Sequence, residues 1–535
     1  MKLLGMSALI LAAFAGTAQT AFADTLSMRL KVKQDRSGLV LTPVHAERGD
    51  FALTPGVPAH ARDAAWRVVA KNAQGKILHE VLVPNRHKRR IEVFNARTGA
   101  IDIAQDIVQA DGVFEVSLPF DAAIASVEVH PTAGKGAGVP LASFKRAQLE
   151  QVAGASAKSR LQAMTATAAA AAPAVATILR SGPPKKRMDY VFVGDGYTAA
   201  EKDKWHADAK KVIDGFMADP LFAANRAHMN IHRVDVVSNE SGADEPDRGI
   251  YRDTALGGNF NCFNIDRLLC VDEAKVYETV GSVLKPDQRD TIVVISNSTR
   301  YGGSGGAMAT LSMHAQSTEV ALHEIGHTAF SLADEYEYGT CDLSYEPSEP
   351  NVSLMGTRAV KWNSQIDAAT PVPTSLGSFP AGTVGVFQGA QYCAAGKYRP
   401  TENSRMRTLG HPWYAVNERL VDAVFEKYQS RIDREVIQTG TLAAGETAYA
   451  PEKAPGTVQT GPGKFIVKLT GAAGTNFDLG LYKWVGSDWT KVAESKGRRS
   501  KETIRYDGGP GWYYVQVDAV SGSGDYRLSY IFPPK

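Results

Sequence analysis

The sequence predicts a multidomain α+β protein with a β-rich N-terminal domain (24–153), a central α/β domain (183–432) and a C-terminal β-sandwich (438–535). Three observations point there. Apolar and polar residues alternate in the first block, as half-buried strands require. In the central block, apolar strands take turns with helical stretches, the pattern of an α/β layer structure. In the last block, short strands recur at sandwich-like spacing between Gly, Asp and Ser.

The elements follow in order. Leu26-Ser-Met-Arg-Leu-Lys-Val32, Ile91-Glu-Val-Phe94 and Val113-Phe-Glu-Val-Ser-Leu118 are alternating strands. Residues 154–182, with the alanine run Ala168 to Ala172 ending at Pro173, are expected to be an Ala-rich, partly helical linker. The second reading is a processing site that separates a pro-segment. Asp189-Tyr-Val-Phe-Val-Gly-Asp-Gly-Tyr197 is a buried strand closing in a glycine turn. Thr198 and Glu201 form a capping box for a helix over 199–218. Strands at Ile231–Val237 and Thr291–Ser296 flank a helix near 273–284, and the block ends in a helix over 415–431. Phe465–Leu469, Phe477–Tyr482, Trp512–Val517 and Tyr526–Tyr530 are the strands expected in the C-terminal sandwich.

The N-terminus sets the compartment. Lys2, the apolar run Ala8–Phe14 and the small residues Ala21-Phe-Ala23 are expected to be a secretory signal peptide over 1–23, cut near Ala23. No later stretch is apolar for long enough to span a bilayer, so no transmembrane segment is expected in the mature chain. An exported protein, periplasmic or secreted, follows. The net charge of +2 in 535 residues argues against a nucleic-acid partner. Four cysteines in an oxidising compartment suggest two disulfides. Of the three pairings they allow, Cys262–Cys270 and Cys341–Cys393 are favoured, the second stapling a long excursion. A cysteine-ligated zinc would want a C-x-x-C pair, and the chain has none.

The chemistry concentrates in His323-Glu-Ile-Gly-His327. Residues four apart on a helix stand about 40° apart in azimuth and roughly 6 Å apart along the axis, so two imidazoles can share one ion. Glu324 then stands beside a metal rather than on it, as suits a general base for an activated water. Catalytic zinc usually takes three protein ligands. Asp334 is the leading third ligand, with Glu335 or a later residue as alternatives. On an unbroken helix Asp334 would lie roughly 10 Å beyond His327 along the axis. It reaches the ion only if the helix breaks near Phe330–Ser331 and the chain folds back, and no glycine stands between His327 and Gly339 to ease the break. Gly302-Gly-Ser-Gly-Gly306 lacks the Lys-Ser/Thr ending of a phosphate loop and is expected to let backbone pass close to substrate. Ala309–His314 after it is a candidate sheet edge for pairing with an extended peptide. His314 is read as structural, and Asn239–Asp244 as a turn rather than a calcium loop. No serine sits in a Gly-x-Ser-x-Gly elbow.

These residues resemble a known family. His323 to Tyr336, together with Val193–Thr198, Asn230–Asp244, Tyr301–Gly306, Tyr398-Arg-Pro400 and Asn403–Arg407, looks like the M64 metallopeptidases, the IgA-peptidase family. The resemblance spans about 187–425. It implies a metzincin-like zinc peptidase domain with a methionine turn beneath the metal, Met406 being the candidate and Met355 its rival. Tyr414 is a candidate oxyanion group. The sequence departs from the family at Ser331, where glycine is common, and at Trp413–Asn417, which replaces a segment that often carries two cysteines. Residues 438–535 more weakly resemble the β-sandwich appended to bacterial secreted peptidases. The function expected is a secreted zinc-dependent endopeptidase acting on a protein or peptide substrate. Zn2+ would be held by His323, His327 and Asp334, with Glu324 as general base. The competing expectations are an exported binding or adhesion protein that retains a peptidase fold, and a zinc hydrolase of a non-peptide amide.

Overall fold

The computed structural model describes residues 25–36, 38–54, 65–132, 139–166, 173–339, 341–429, 436–451, 456–460 and 463–533. The expected signal peptide and the alanine run 168–172 lie outside the described residues. Residues 25–431 form one compact unit, and the strands after 432 form a second.

The first unit begins with β1 (Thr25–Asp35), β2 (Gly38–Gly49), β3 (Ala65–Lys71), β4 (Ile77–Pro84), β5 (Lys88–Phe94), β6 (Ile101–Val108), β7 (Asp111–Pro119), β8 (Ser126–Pro131) and β9 (Ala142–Lys145). They pair as sheets of order β2-β1-β7 and β4-β3-β8-β9, with β5 and β6 as a separate antiparallel hairpin. Alternate residues of β1 (Leu26, Met28, Leu30 and Val32) pack with Val68, Val116 and Val129 into one core. The first part of the other face of β1 is buried too: Ser27 and Arg29 are covered, while Lys31 and Lys33 are exposed. Arg29 meets Glu115 of β7 at 3.1 Å, and Glu115 also takes Arg289 of the α/β part at 2.8 Å. The β-rich block is thereby packed into the same unit as the α/β block.

The segment 154–182 departs from the linker expected there. Its first part completes helix α1 (Arg146–Ala166), whose Leu149 joins the β core and whose Ser156 hydroxyl accepts from the Ala46 amide. Its last part is β10 (Ala174–Leu179), paired antiparallel with a strand of the α/β sheet. Alanine favours helix, and a free sheet edge offers backbone partners to a short extended segment, so both ends find regular structure.

The α/β block continues with β11 (Met188–Asp195), α2 (Lys202–Ala218), α3 (Pro220–Ala224), β12 (Met229–Asp235), α4 (Glu273–Val283), β13 (Thr291–Ser296), β14 (Gly303–Ser304), β15 (Ala309–Ser312) and α5 (Ser317–Phe330). The sheet order is β10-β12-β11-β13-β15-β14. The four inner strands run parallel and both edges are antiparallel. Trp205, Ala209, Val212, Ile213 and Phe216 form the apolar stripe of α2 and pack with α5 on one face of the sheet. Val276 and Val280 of α4 cover the other face. Glu201 closes the expected cap by accepting from the Thr198 amide at 3.0 Å. Asp195, buried at the end of β11, accepts from the Leu256 and Gly258 amides and anchors the following loop. One expectation is corrected: β15 lies inside the sheet, not at its edge. The glycine-rich stretch doubles back and β14 takes the edge position instead.

The hairpin of β16 (Phe387–Ala390) and β17 (Cys393–Arg399) precedes α6 (Tyr414–Gln429). The disulfides are Cys262–Cys270 and Cys341–Cys393.

In the second unit, β18 (Val436–Leu442), β19 (Thr447–Ala450), β20 (Val458–Thr460), β21 (Gly463–Gly471), β22 (Asn476–Val485), β23 (Asp488–Ser495), β24 (Lys501–Gly508), β25 (Gly511–Ser521) and β26 (Gly524–Ile531) make two antiparallel sheets. Their orders are β18-β26-β21-β24 and β19-β25-β22-β23, with β20 beside β25. Phe465, Val467, Leu479, Val515 and Leu528 fill the core between them. No helix among the described residues is long and apolar enough to cross a membrane.

Candidate metal centre

Helix α5 carries His323, Glu324 and His327. The two imidazole Nε2 atoms face each other at 3.0 Å. Each ring is oriented by its other nitrogen: His323 Nδ1 bonds the Arg405 carbonyl at 3.0 Å and His327 Nδ1 the Leu332 carbonyl at 2.7 Å. A carbonyl only accepts, so both Nδ1 atoms carry the proton and both Nε2 lone pairs are left for one common point.

The break that the sequence left in doubt is present. α5 ends at Phe330, and Ser331 takes a left-handed conformation, φ 56°. The Ser331 amide donates to the His327 carbonyl at 3.1 Å and the Leu332 amide to the Gly326 carbonyl at 3.0 Å, closing the helix end. The chain turns back and places Asp334 Oδ1 3.3 Å from His323 Nε2 and 3.2 Å from His327 Nε2. The other Asp334 oxygen accepts from the Tyr392 hydroxyl at 2.7 Å, while Oδ1 is buried without a hydrogen bond. Such an atom is costly unless a cation meets it. Glu335 points elsewhere. Its buried carboxylate accepts from Asn351, Asn417 and Ser404, at 2.9, 3.0 and 2.7 Å.

A fourth group completes the cluster. Glu92 of β5 brings Oε2 to 3.3 Å from His323 Nε2 and 3.6 Å from His327 Nε2, and its Oε1 accepts from the Tyr336 hydroxyl. One ligand atom from each of Glu92, His323, His327 and Asp334 lies within 4.8 Å of the others. Two imidazole nitrogens and two carboxylate oxygens suit a borderline divalent ion such as zinc. Sequence reasoning missed Glu92, Tyr336 and Tyr392. Glu92 sits in an alternating strand, 244 residues from Tyr336, and no local spacing marks it.

The electrostatics agree with a cation site. Burial pulls the His323 ring down, but its contacts with Asp334 and Glu92 outweigh this and raise it to about 9. Burial likewise lowers His327, and the Asp334 charge lifts it well above its usual range. Burial would raise Asp334, yet the two histidines hold it well below the ordinary carboxylate range. The two carboxylates therefore favour positive charge at the centre of the cluster. Glu324 differs: burial and the negative Glu92 push it up to about 7, against the pull of the histidines.

Beneath the helix, Met406 is fully buried with its Sδ against Gly326, where a Cβ would come within 2.6 Å. Met355 is exposed. Tyr414 packs on Gly382. His314 lies edge-on to Tyr301. Above Glu324 runs the glycine-rich stretch. A Cβ on Gly305 would stand 1.8 Å from Glu324 Oε2, so only glycine lets the backbone pass there.

Residues 176–378 match the family described as IgA Peptidase M64. The M64 match contains α5, His323, Glu324, His327 and Asp334, so this part of the chain is similar to a family of metallopeptidases. Glu92 and Met406 lie outside it. Among solved structures, the chain is similar to the pre-peptidase C-terminal domain of a collagenase from Bacillus anthracis, at 18% identity over 18% of this chain and 86% of that one, TM-score 0.15. It is also similar to the Yersinia pseudotuberculosis-derived mitogen, at 15% identity over 19% and 88%, TM-score 0.16.

Proposed function

We propose that the protein is an exported zinc-dependent endopeptidase whose centre is His323, His327 and Asp334. The convergence of their three donor atoms on one point, with Glu324 alongside, carries this reading. Zinc in such a site supplies Lewis-acid polarisation of the scissile carbonyl and makes water acidic near neutral pH. Glu324, next to His323 on α5, takes the proton of the attacking water and delivers it to the leaving amine. Arg405 O and Leu332 O keep the imidazoles in the productive tautomer, and Tyr392 fixes the Asp334 carboxylate. Met406 under Gly326 sets the height of the helix floor, the role of a methionine turn. The M64 match supports a protein substrate, and the two disulfides fit an oxidising compartment after signal-peptide removal near Ala23.

The test compares Glu324→Ala with its parent on a mixed protein digest, reading products by mass spectrometry and metal by elemental analysis. Both the native chain and a Glu92→Ala chain serve as parents, because Glu92 shares the cluster. The expected result is a drop of about 10²-fold or more in cutting with metal content unchanged, the scale of a lost general base. Equal cutting by the Glu92→Ala parent and its Glu324→Ala derivative, or no bound metal in any chain, would overturn the proposal.

A further inference from the structure

We infer that Glu92 is a fourth protein ligand which shuts this metal site, and that the β5–β6 hairpin lies in the place of substrate, so that the chain folded as it stands is a latent enzyme. The inference rests on the peptidase reading above. Catalytic zinc keeps three protein ligands and one open position, whereas four protein ligands make a closed site. Here the fourth group comes from outside the α/β sheet. The Tyr336 hydroxyl engages Glu92 Oε1 and leaves Oε2 for the ion.

The rest of β5 spans the centre from one wall to the other. Arg89 donates to the Ser304 hydroxyl at 2.9 Å and to the Gly305 carbonyl, directly above Glu324. Arg86, just before the strand, donates to the Gly306 carbonyl at 2.8 Å. On the other side Arg90 stacks on the Tyr392 ring, 3.6 Å from its centroid. Phe94 sets its ring edge-on to His323, centroids 4.7 Å apart. A substrate strand that reached the metal beside Glu324 would need this same space.

Charge points the same way. Two neutral imidazoles and two carboxylates cancel a divalent ion, whereas withdrawal of Glu92 leaves a net positive centre able to polarise a carbonyl. A purely structural four-ligand site would give Glu324 no work. Activation is then a ligand exchange in which water takes the position of the Glu92 carboxylate, with no change in oxidation state.

The test uses the full chain loaded with cobalt(II) as a visible probe and acetohydroxamate as a small chelating ligand. In wild type the cobalt spectrum should ignore acetohydroxamate. In Glu92→Ala and Glu92→Gln it should respond, and peptide cutting should rise at least about tenfold, since the competent state is no longer a minor one. Arg90→Ala removes no ligand, and it should give a partial gain in both readouts if the Glu92 variants fail to fold. A wild type that already binds acetohydroxamate and cuts as fast as the variants overturns the latency while the peptidase reading stands. Folded, metal-loaded variants that gain acetohydroxamate binding but cut nothing uphold the closed site and sink the peptidase reading. Variants that gain neither overturn the inference.

Discussion

Ser331 decides whether the motif on α5 can work. It holds a left-handed backbone, φ 56°, and that turn sends Asp334 back to the two histidines. A left-handed conformation costs a residue with a Cβ about 1–2 kcal/mol, and glycine avoids it while losing more chain entropy on folding. Ser331→Gly should therefore stabilise the fold by about 0.5–1 kcal/mol, visible as a higher urea midpoint with unchanged metal content. A lower midpoint would show that the serine contributes more than its backbone angle. The histidine pair and Glu324 were legible from their spacing alone, because a helix brings residues four apart together whatever surrounds it. Asp334 led over Glu335 in the sequence, but spacing alone left the choice open. It depends on one dihedral and on Asn351, Ser404 and Asn417, which claim the Glu335 carboxylate from three remote parts of the chain.

At the scale of elements, strands and helices with a clear period appear where the sequence places them: β1, β13, α4 and the strands of the C-terminal sandwich. Errors arose where pairing rather than pattern decides. Ala309–Ser312 has the composition of an edge strand, yet the two residues Gly303–Ser304 fold over it and take the edge. Glu115 of β7 looks like the solvent side of an alternating strand. It is instead held between Arg29 and Arg289 and ties the β-rich block to the α/β block. Burial would raise its pKa, but the two guanidinium groups lower it below the ordinary 4.5. A depressed carboxylate stabilises the fold above its unfolded pKa, and that contribution is lost as pH falls through the lower folded value. Glu115→Gln should thus cost about 3–5 kcal/mol near neutrality, because it leaves two buried cations short of a partner. The gap from wild type should close as the pH drops below 4.5. Urea midpoints across that range test this, and a gap that widens on acidification would contradict it.

At the scale of the whole molecule, the chain is two compact units, and the candidate site residues named above all lie in the first. Sequence reading divided that unit at a linker and assigned the chemistry to its second half. The fold shows why this was incomplete. Both faces of β1 are buried over its first part, α1 and β10 absorb the ends of the linker, and β5 reaches the candidate metal centre. Contacts between residues far apart in the chain leave no local period, so Glu92 could not be found from spacing. The M64 match begins at residue 176, after the first block, and so leaves Glu92 outside it. The position of the metal decides between a closed and an open site. The direct measurement is anomalous diffraction at the zinc edge from crystals of the full chain. One strong peak is expected about 2.0–2.2 Å from His323 Nε2, His327 Nε2 and an Asp334 oxygen, with a Glu92 oxygen as the fourth neighbour. A peak elsewhere, or a cluster that binds no metal while the histidines stay paired with the two carboxylates, would contradict it.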